Sequence, residues 1–285
     1  MFEPTLWPLA HGRVLELGPK AKIMGILNVT PDSFSDGGRF ARVDDALSQA
    51  QHMIAQGADI IDVGGESTKP GAAAVDADEE QRRILPIIEA LATRRNVLIS
   101  VDTYREETAA KAVAAGAHIV NDVWGLQREP GIARVAANTG AGLVIMHTGR
   151  ERQKMADPIE DQLHFLQRSL EIAREAGVEE PRIVLDPGFG FAKETVEDNL
   201  SLMARFDELS LLGRPWLVGT SRKRFVGTVT GREADGRDPG TAATSVILRL
   251  QGAVIFRVHD VAINKDALAF ADAMVAHGLT AQRKS

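Results

Sequence analysis

Hydrophobic and polar positions along this chain alternate in blocks. Apolar, often β-branched runs recur at 22–27 (KIMGIL), 59–63 (DIIDV), 97–101 (VLISV), 118–120 (HIV), 142–146 (GLVIM), 182–186 (RIVLD), 216–219 (WLVG) and 253–258 (AVIFRV). Continuous rather than alternating apolar runs suit strands covered on both faces. Between them lie segments with helical spacing, at 44–57, 79–92, 105–116, 159–177 and 264–278, several ending on Gly as helix C-termini often do. Eight strand candidates, most followed by a helix, in a chain near the about 250 residues usual for the fold, predict one α/β domain, a (β/α)8 TIM barrel. Residues 1–20 read as an N-terminal hairpin-like extension closing the barrel bottom, and residues 21–285 as the barrel itself. A doubly wound open sheet is the rival, but eight strands close a ring naturally. PGFGFAK also places Lys193 where a dinucleotide fingerprint would have its third glycine.

A barrel gathers its function where strands end. After the first strand stand Asn28 and NVTPDSFSDGG, after the second GGESTKPG, and after the third and fourth Asp102-Thr103 and Asn121-Asp122. The fifth gives Met146-His147, the sixth Asp186-Pro-Gly-Phe-Gly-Phe191, the seventh Gly219-Thr-Ser-Arg-Lys223 and the eighth Arg257-Val-His259-Asp260. The first of these loops is long and polar with a glycine pair at 37–38, as a lid over a barrel mouth would be.

Composition narrows the partners. A net charge of -6 argues against nucleic acid or an anionic membrane, either of which favours a basic face. The chain has no Cys, which excludes disulfides, thiol nucleophiles and cysteine zinc sites. No apolar run approaches membrane-spanning length. MFEPTLWPLAHGR has two prolines and an acid where a secretory signal needs a basic patch and an apolar stretch, so a soluble cytoplasmic protein is expected.

Asp102, Asn121, Asp186 and Lys223 would point into one cavity. Two carboxylates, an amide and an ammonium match a flat, nitrogen-rich heterocycle: carboxylates accept from ring N–H and amino groups, while amide and ammonium serve ring nitrogens and an oxo group. The plain alternative is salt bridging between strand ends. Arg257 and His259, two apart on one strand, face one side and bring two potential cations together. With Asn28 they could hold a diphosphate and its Mg2+, a hard ion needing few protein ligands; alternatively, Arg257 pairs with Asp260. In the second loop, Thr68, Lys69 and Pro70 could carry a hydroxyl and a cation toward a carboxylate-bearing substrate, or be turn chemistry alone. Phe34 could cover an aromatic ring.

Together these residues resemble the dihydropteroate synthase family over essentially the whole chain. MGILNVTPDSFSDGGRF (24–40) and DIIDVGGESTKPGA (59–72) are similar to its two signature segments, and SVDTYR, IVND, DPGFGF, VGTSRK and RVHD follow in the family's order. The resemblance implies an enzyme of folate synthesis that joins 4-aminobenzoate to 6-hydroxymethyl-7,8-dihydropterin diphosphate. Asp102, Asn121, Asp186 and Lys223 would hold the pterin with Phe191, Gly219 and Arg257. Asn28 would be the Mg2+ ligand, and Asn28, Thr68, Arg257 and His259 the diphosphate contacts. Phe34, Thr68, Lys69, Pro70, Gly190 and Ser221 would shape the aminobenzoate pocket. The implied mechanism is dissociative: diphosphate departs first and a pterin methylene cation forms, which Asp36 would face. A homodimer through outer helices late in the chain is also implied.

The chain departs from the family at Lys69, where Arg is usual, so a planar bidentate contact becomes a point charge. It departs also at Ala192, where Gly is frequent, at MHTG, and at Arg224, where several members have Ser. A pterin-binding methyltransferase, with no need for a diphosphate site, and a non-catalytic pterin-binding barrel are the rivals. The second would be expected to have lost Asn28, Lys223 or Arg257, and all three are present.

Overall fold

The computed structural model describes residues 2–30, 39–66, 75–94, 96–193 and 195–278. Two short strands, β1 (Thr5–Pro8) and β2 (Val14–Leu17), pair antiparallel as an N-terminal hairpin. The eight apolar runs become the parallel strands β3 (Lys22–Asn28), β4 (Ile60–Gly64), β5 (Leu98–Asp102), β6 (Ile119–Asp122), β7 (Gly142–Met146), β8 (Ile183–Asp186), β9 (Leu217–Val218) and β10 (Ile255–Val258). Their order is β8-β7-β6-β5-β4-β3-β10-β9. Between the two outermost strands the ring closes through one bridge, Leu185 to Trp216, where Leu185 N donates to Pro215 O at 2.9 Å.

The helices are α1 (Arg39–Ala55), α2 (Ala77–Ala92), α3 (Glu106–Ala114), α4 (Gly131–Thr139), α5 (Pro158–Glu175), α6 (Val196–Ala204), α7 (Arg224–Thr230), α8 (Asp238–Leu250) and α9 (Val261–Ala276). Local chemistry sets several starts: Asp76 accepts from Glu79 N, Asp157 from Ile159 and Glu160 N, and Asp260 from Ile263 N, while Thr195 and Asp198 form a reciprocal capping box. Helices α4, α6, α7 and α8 were not among the segments singled out by spacing. The first three are short, and α8 opens on Asp-Pro-Gly, which reads as a turn although Pro is tolerated in a first helical turn.

The strands are apolar on both sides because both sides are covered. Ile61, Val63, Ile99, Val101, Leu143, Ile145 and Leu185 pack outward into the core shared with the helices. In the other phase, Met24, Ile60, Leu98, Ile119, Val144, Val184, Leu217 and Ile255 fill the barrel interior together with Trp7, Leu9 and Leu17 of the hairpin. Trp7 donates its indole N–H to Arg182 O at 2.7 Å. The N-terminal end of the barrel is thus an apolar plug. With side chains alternating every second residue, the next positions along the same inner face are Asp62, Ser100, Asn121, Met146, Asp186, Gly219 and Arg257. The interior thus turns from apolar to polar in one step along five of the eight strands, the exceptions being the first strand and those that end in Met146 and Gly219.

Candidate active site

Arg257 lies at the centre of this polar layer. Its Nε donates to Asp62 Oδ2 at 2.6 Å and its Nη2 to Asp102 Oδ2 at 2.7 Å. Asn121 Nδ2 donates to Asp62 Oδ2 at 3.3 Å. Asp62 Oδ1, Ser100 Oγ and Asn121 Oδ1 are shielded from solvent and have no hydrogen-bond partner among the described residues. Such orphaned groups are costly, and here they cluster in one place where an incoming molecule could satisfy them.

The sixth and seventh strand ends form the opposite wall. Asp186 Oδ1 accepts from Gly188 N at 2.7 Å. Gly188 has φ 62 and a Cβ there would fall 2.1 Å from His147 O, so only glycine lets the chain turn at this point. Gly190 has φ 76, and a Cβ on it would lie 3.1 Å from Lys223 Cδ. Lys223 Nζ sits 3.9 Å above the Phe191 ring centroid, a cation–π contact that holds the two side chains together. A Cβ on Gly219 would lie 3.8 Å from Arg257 Cβ, ordinary contact. Ser221 Oγ is 2.9 Å from His259 Nδ1 and accepts from His259 N at 3.0 Å. Asn28 ends β3 beside Gly64, where a Cβ would be 3.8 Å from Asn28 Oδ1.

Burial shapes the charges. It raises Asp186 to about 6 against the opposing Gly188 N–H and the Lys223 and Arg257 charges. Asp102 is also raised, first by burial and then by Asp62 and Glu80, with Arg257 pulling the other way. Lys223 is lowered to about 8, by burial and by the Arg257 charge. Burial opposes ionisation of Arg257 as well, yet Asp62 and Asp102 hold its proton more firmly than usual.

The expected pair of cations is not there. Burial, followed by the Arg257 and Arg222 charges, lowers His259 to about 3, so its ring is neutral at physiological pH. Nor does Arg257 reach for Asp260, which caps α9 instead. Asp102, Asn121, Asp186, Phe191, Gly219, Lys223 and Arg257 are brought together at the C-terminal end of the barrel, with His259, Ser221, Gly190 and Asn28 beside them. Phe34, Asp36, Thr68, Lys69 and Pro70 lie outside the described residues.

Sequence reading missed Asp62, which is fully buried and shares Arg257 with Asp102. The signal was its phase: it precedes the end of its strand by two residues, on the inner face. It also missed the support beneath the sixth loop. Lys193 Nζ donates to Gly188 O at 2.9 Å and stands 3.1 Å from His147 Nδ1, whose Nε2 is 2.9 Å from Asp161 Oδ2. Burial lowers Lys193 to about 7. Arg105 holds the flanks of the second loop, donating to Glu66 Oε2 at 2.8 Å and to Val75 O at 2.5 Å.

Fold and site define a (β/α)8 enzyme that reads a polar heterocycle, and the comparisons sharpen this to the pterin-binding enzymes: the profile described as "Pterin binding enzyme" matches residues 24–259. Dihydropteroate synthase of Bacillus subtilis is 50% identical over 242 residues, covering 85% of this chain and 84% of that protein. The Clostridium difficile enzyme, solved in the presence of pteroic acid, superposes with a TM-score of 0.88 at 45% identity, covering 91% of this chain and 98% of that one. The Xanthomonas albilineans enzyme with 4-aminobenzoic acid gives 0.89 at 41% identity, covering 95% and 99%. The chain belongs to the dihydropteroate synthase family.

Proposed function

We propose that this chain condenses 6-hydroxymethyl-7,8-dihydropterin diphosphate with 4-aminobenzoate, giving 7,8-dihydropteroate and diphosphate. One observation carries the reading: orphaned acceptors on Asp62 and Asn121 stand beside Asp102, Asp186, Lys223 and Arg257 in one polar layer. An aminopyrimidinone offers adjacent N–H donors and an oxo acceptor, and this layer offers their complements. The relatives solved with pteroic acid and 4-aminobenzoic acid support the same chemistry.

In this reading Asp62, Asp102, Asn121 and Asp186 accept from the pterin, Lys223 donates to it, and Phe191 and Arg257 cover its faces. The reaction is dissociative. The bond from the pterin methylene to the diphosphate oxygen breaks first, and the electron pair leaves with the diphosphate. The neutral arylamine nitrogen then adds to the methylene and loses a proton to solvent. Asp186, by accepting from the ring, strengthens electron donation into the forming cation. Arg257 stabilises the leaving oxygens. His259 contributes as a neutral donor: Ser221 Oγ takes the His259 backbone N–H, its own proton serves Nδ1, and the ring proton remains on Nε2, facing an anion. Gly190 and Ser221 border the aminobenzoate.

Asn28 supplies a hard amide oxygen at an open strand end, which fits Mg2+, an ion usually held by one or two protein oxygens together with substrate phosphates. Bound there, it would neutralise charge on the diphosphate. Val229, Ile247 and Phe270, exposed on α7, α8 and α9, support a homodimer through these helices. Among the described residues no helix is long and apolar enough to cross a membrane, and a cytoplasmic location is part of the same reading. Supplying the pterin diphosphate, 4-aminobenzoate and Mg2+ should yield diphosphate and dihydropteroate in equal amounts. Diphosphate without dihydropteroate, or neither, would overturn the assignment.

A further inference from the structure

The loop that carries Asp186 and Phe191 is wound against its own backbone preference. Gly188, Gly190 and Ala192 all have positive φ, at 62, 76 and 53, and for the alanine that conformation is unfavourable. Gly188 is the hub of the turn. Its N–H donates to Asp186 Oδ1 at 2.7 Å, and its carbonyl accepts from Phe191 N at 3.1 Å. One residue thereby ties together the carboxylate and the ring assigned to the pterin.

Gln162 and Asn199 brace the loop from α5 and α6, at Pro187 O and Gly190 N. Lys193 braces Gly188 itself. Buried at 8% exposure, it folds back over its own loop, and Nζ donates to Gly188 O at 2.9 Å and lies 3.5 Å from Phe191 O. Its other partner is His147 Nδ1 at 3.1 Å, and His147 Nε2 stands 2.9 Å from Asp161 Oδ2. Arg152 Nη2, 2.8 Å from the same Nε2, has its own acceptor in Asp161 Oδ2 at 2.6 Å. The ring proton therefore sits on Nε2 and goes to the carboxylate, which leaves Nδ1 to accept from Lys193. A continuous chain of hydrogen bonds runs from Asp161 on α5 through His147 and Lys193 to Gly188. Two N–H groups on Lys193 suffice for it, and both the ammonium and the neutral amine have them.

We infer that Lys193, given a pterin in the polar layer, is a positioning residue for its recognition: by holding the Gly188 carbonyl it keeps Asp186 and Phe191 in the places from which both meet the ring. Without that bond the left-handed turn relaxes, and the fraction of molecules whose loop is ready for the ligand falls. Apparent affinity falls with that fraction, whereas a saturating ligand draws the whole population back. Lys193 itself touches neither the substrates nor the reacting atoms. Lys154 donates to Ala192 O at 2.6 Å from the exposed side. It holds the end of the loop and not the turn at Gly188, which makes it the control.

The test uses the full chain. Lys193→Met should weaken calorimetric binding of 6-hydroxymethylpterin about tenfold, as a loop ready in about one molecule in ten would. It should raise the KM for the pterin diphosphate, while kcat at saturation and the KM for 4-aminobenzoate stay within about twofold. Lys193→Gln, uncharged but still with N–H donors, should fall between the two proteins, and it gives the same split of KM against kcat if the methionine variant does not fold. Lys154→Met should bind the pterin within about twofold of the unaltered protein. In Phe191→Ala, where one of the two positioned groups is already gone, adding Lys193→Met should cost about threefold or less, because the two changes act on one element. An unaltered protein that does not bind the pterin would overturn the pterin reading itself. Where it does bind, unchanged affinity in the folded Lys193 variants, a fall in kcat with KM unmoved, or a full tenfold loss in the Phe191→Ala background would each overturn the positioning role alone.

Discussion

Replacing Asp62 by Asn keeps the shape of the side chain and removes its charge, so Asp62→Asn isolates what that charge does. Arg257 divides its guanidinium between Asp62 Oδ2 at 2.6 Å and Asp102 Oδ2 at 2.7 Å. A charge-assisted hydrogen bond contributes about 1.5–3 kcal/mol net. Stripping a buried charge of every partner costs about 3–5 kcal/mol, but Asp102 remains, so the smaller range applies and urea denaturation should show it. The ligand side follows from orientation. An amide that keeps its oxygen toward Arg257 turns its NH2 to where Oδ1 stood, and a donor then meets the donors of the pterin. Affinity for 6-hydroxymethylpterin should fall about tenfold to a hundredfold, or about 1.4–2.8 kcal/mol. Removing the Asp62 charge also removes one influence that raises Asp102, so Asp102 should ionise at lower pH in the variant. Calorimetry with the pterin and denaturation on the same preparations decide the matter. Lost stability with affinity unchanged would make Asp62 a counter-ion only, and no change in either would refute the role given to the Arg257–Asp62 pair.

Ala192 has φ 53, a left-handed conformation that disfavours a Cβ; Ala192→Gly should raise stability by about 1 kcal/mol or less, read from the urea midpoint, with turnover unchanged. Lys193 is lowered by burial to about 7, so between about pH 7 and 10 the unfolded chain holds a proton there that the folded protein lacks, and stability gains from rising pH. Lys193→Met should remove that part of the slope in denaturation at pH 7, 8.5 and 10; an unchanged slope would place the titration elsewhere. Asn28→Ala should raise the Mg2+ concentration needed for calorimetric binding of the pterin diphosphate without altering binding of the unphosphorylated pterin, and an unaltered Mg2+ requirement would move the metal from Asn28.

The barrel was legible because continuous apolar runs have one simple explanation, strands covered on both faces, and the count of eight closes a ring. Of the four helices that escaped, three were short enough that their periodicity had no room to show, and α8 opened on residues that read as a turn. At the site, residues at the ends of strands were legible by position alone. Asp62 was not, because it sits inside the run DIIDV and reads as part of an apolar strand until the inner and outer phases are separated. The charge state of His259 was out of reach for another reason. It depends on burial and on Arg222, which approaches from the preceding strand end, and neither can be seen from a two-residue spacing. The departure at Ala192 was visible as a letter, while its left-handed backbone was not.

Each strand of this barrel serves two ends that have opposite needs. Toward the N-terminus, Met24, Ile60, Leu98, Ile119, Val144, Val184, Leu217 and Ile255 are sealed by Trp7, Leu9 and Leu17, and an apolar contact there stabilises whether or not anything is bound. One step along the same face, Asp62, Ser100 and Asn121 hold shielded polar atoms with no partner, each a burden of about 1–3 kcal/mol on the free protein. Asp62 meets part of that burden through Oδ2, which accepts from Arg257 and Asn121, and leaves Oδ1 unpartnered. A ligand that satisfies those atoms therefore gains more than its own contacts would suggest, because it relieves a cost already present before it arrives. Substitutions in the two layers should then differ in kind: in the plug they lower stability with and without ligand alike, and in the polar layer they change the difference between the two states.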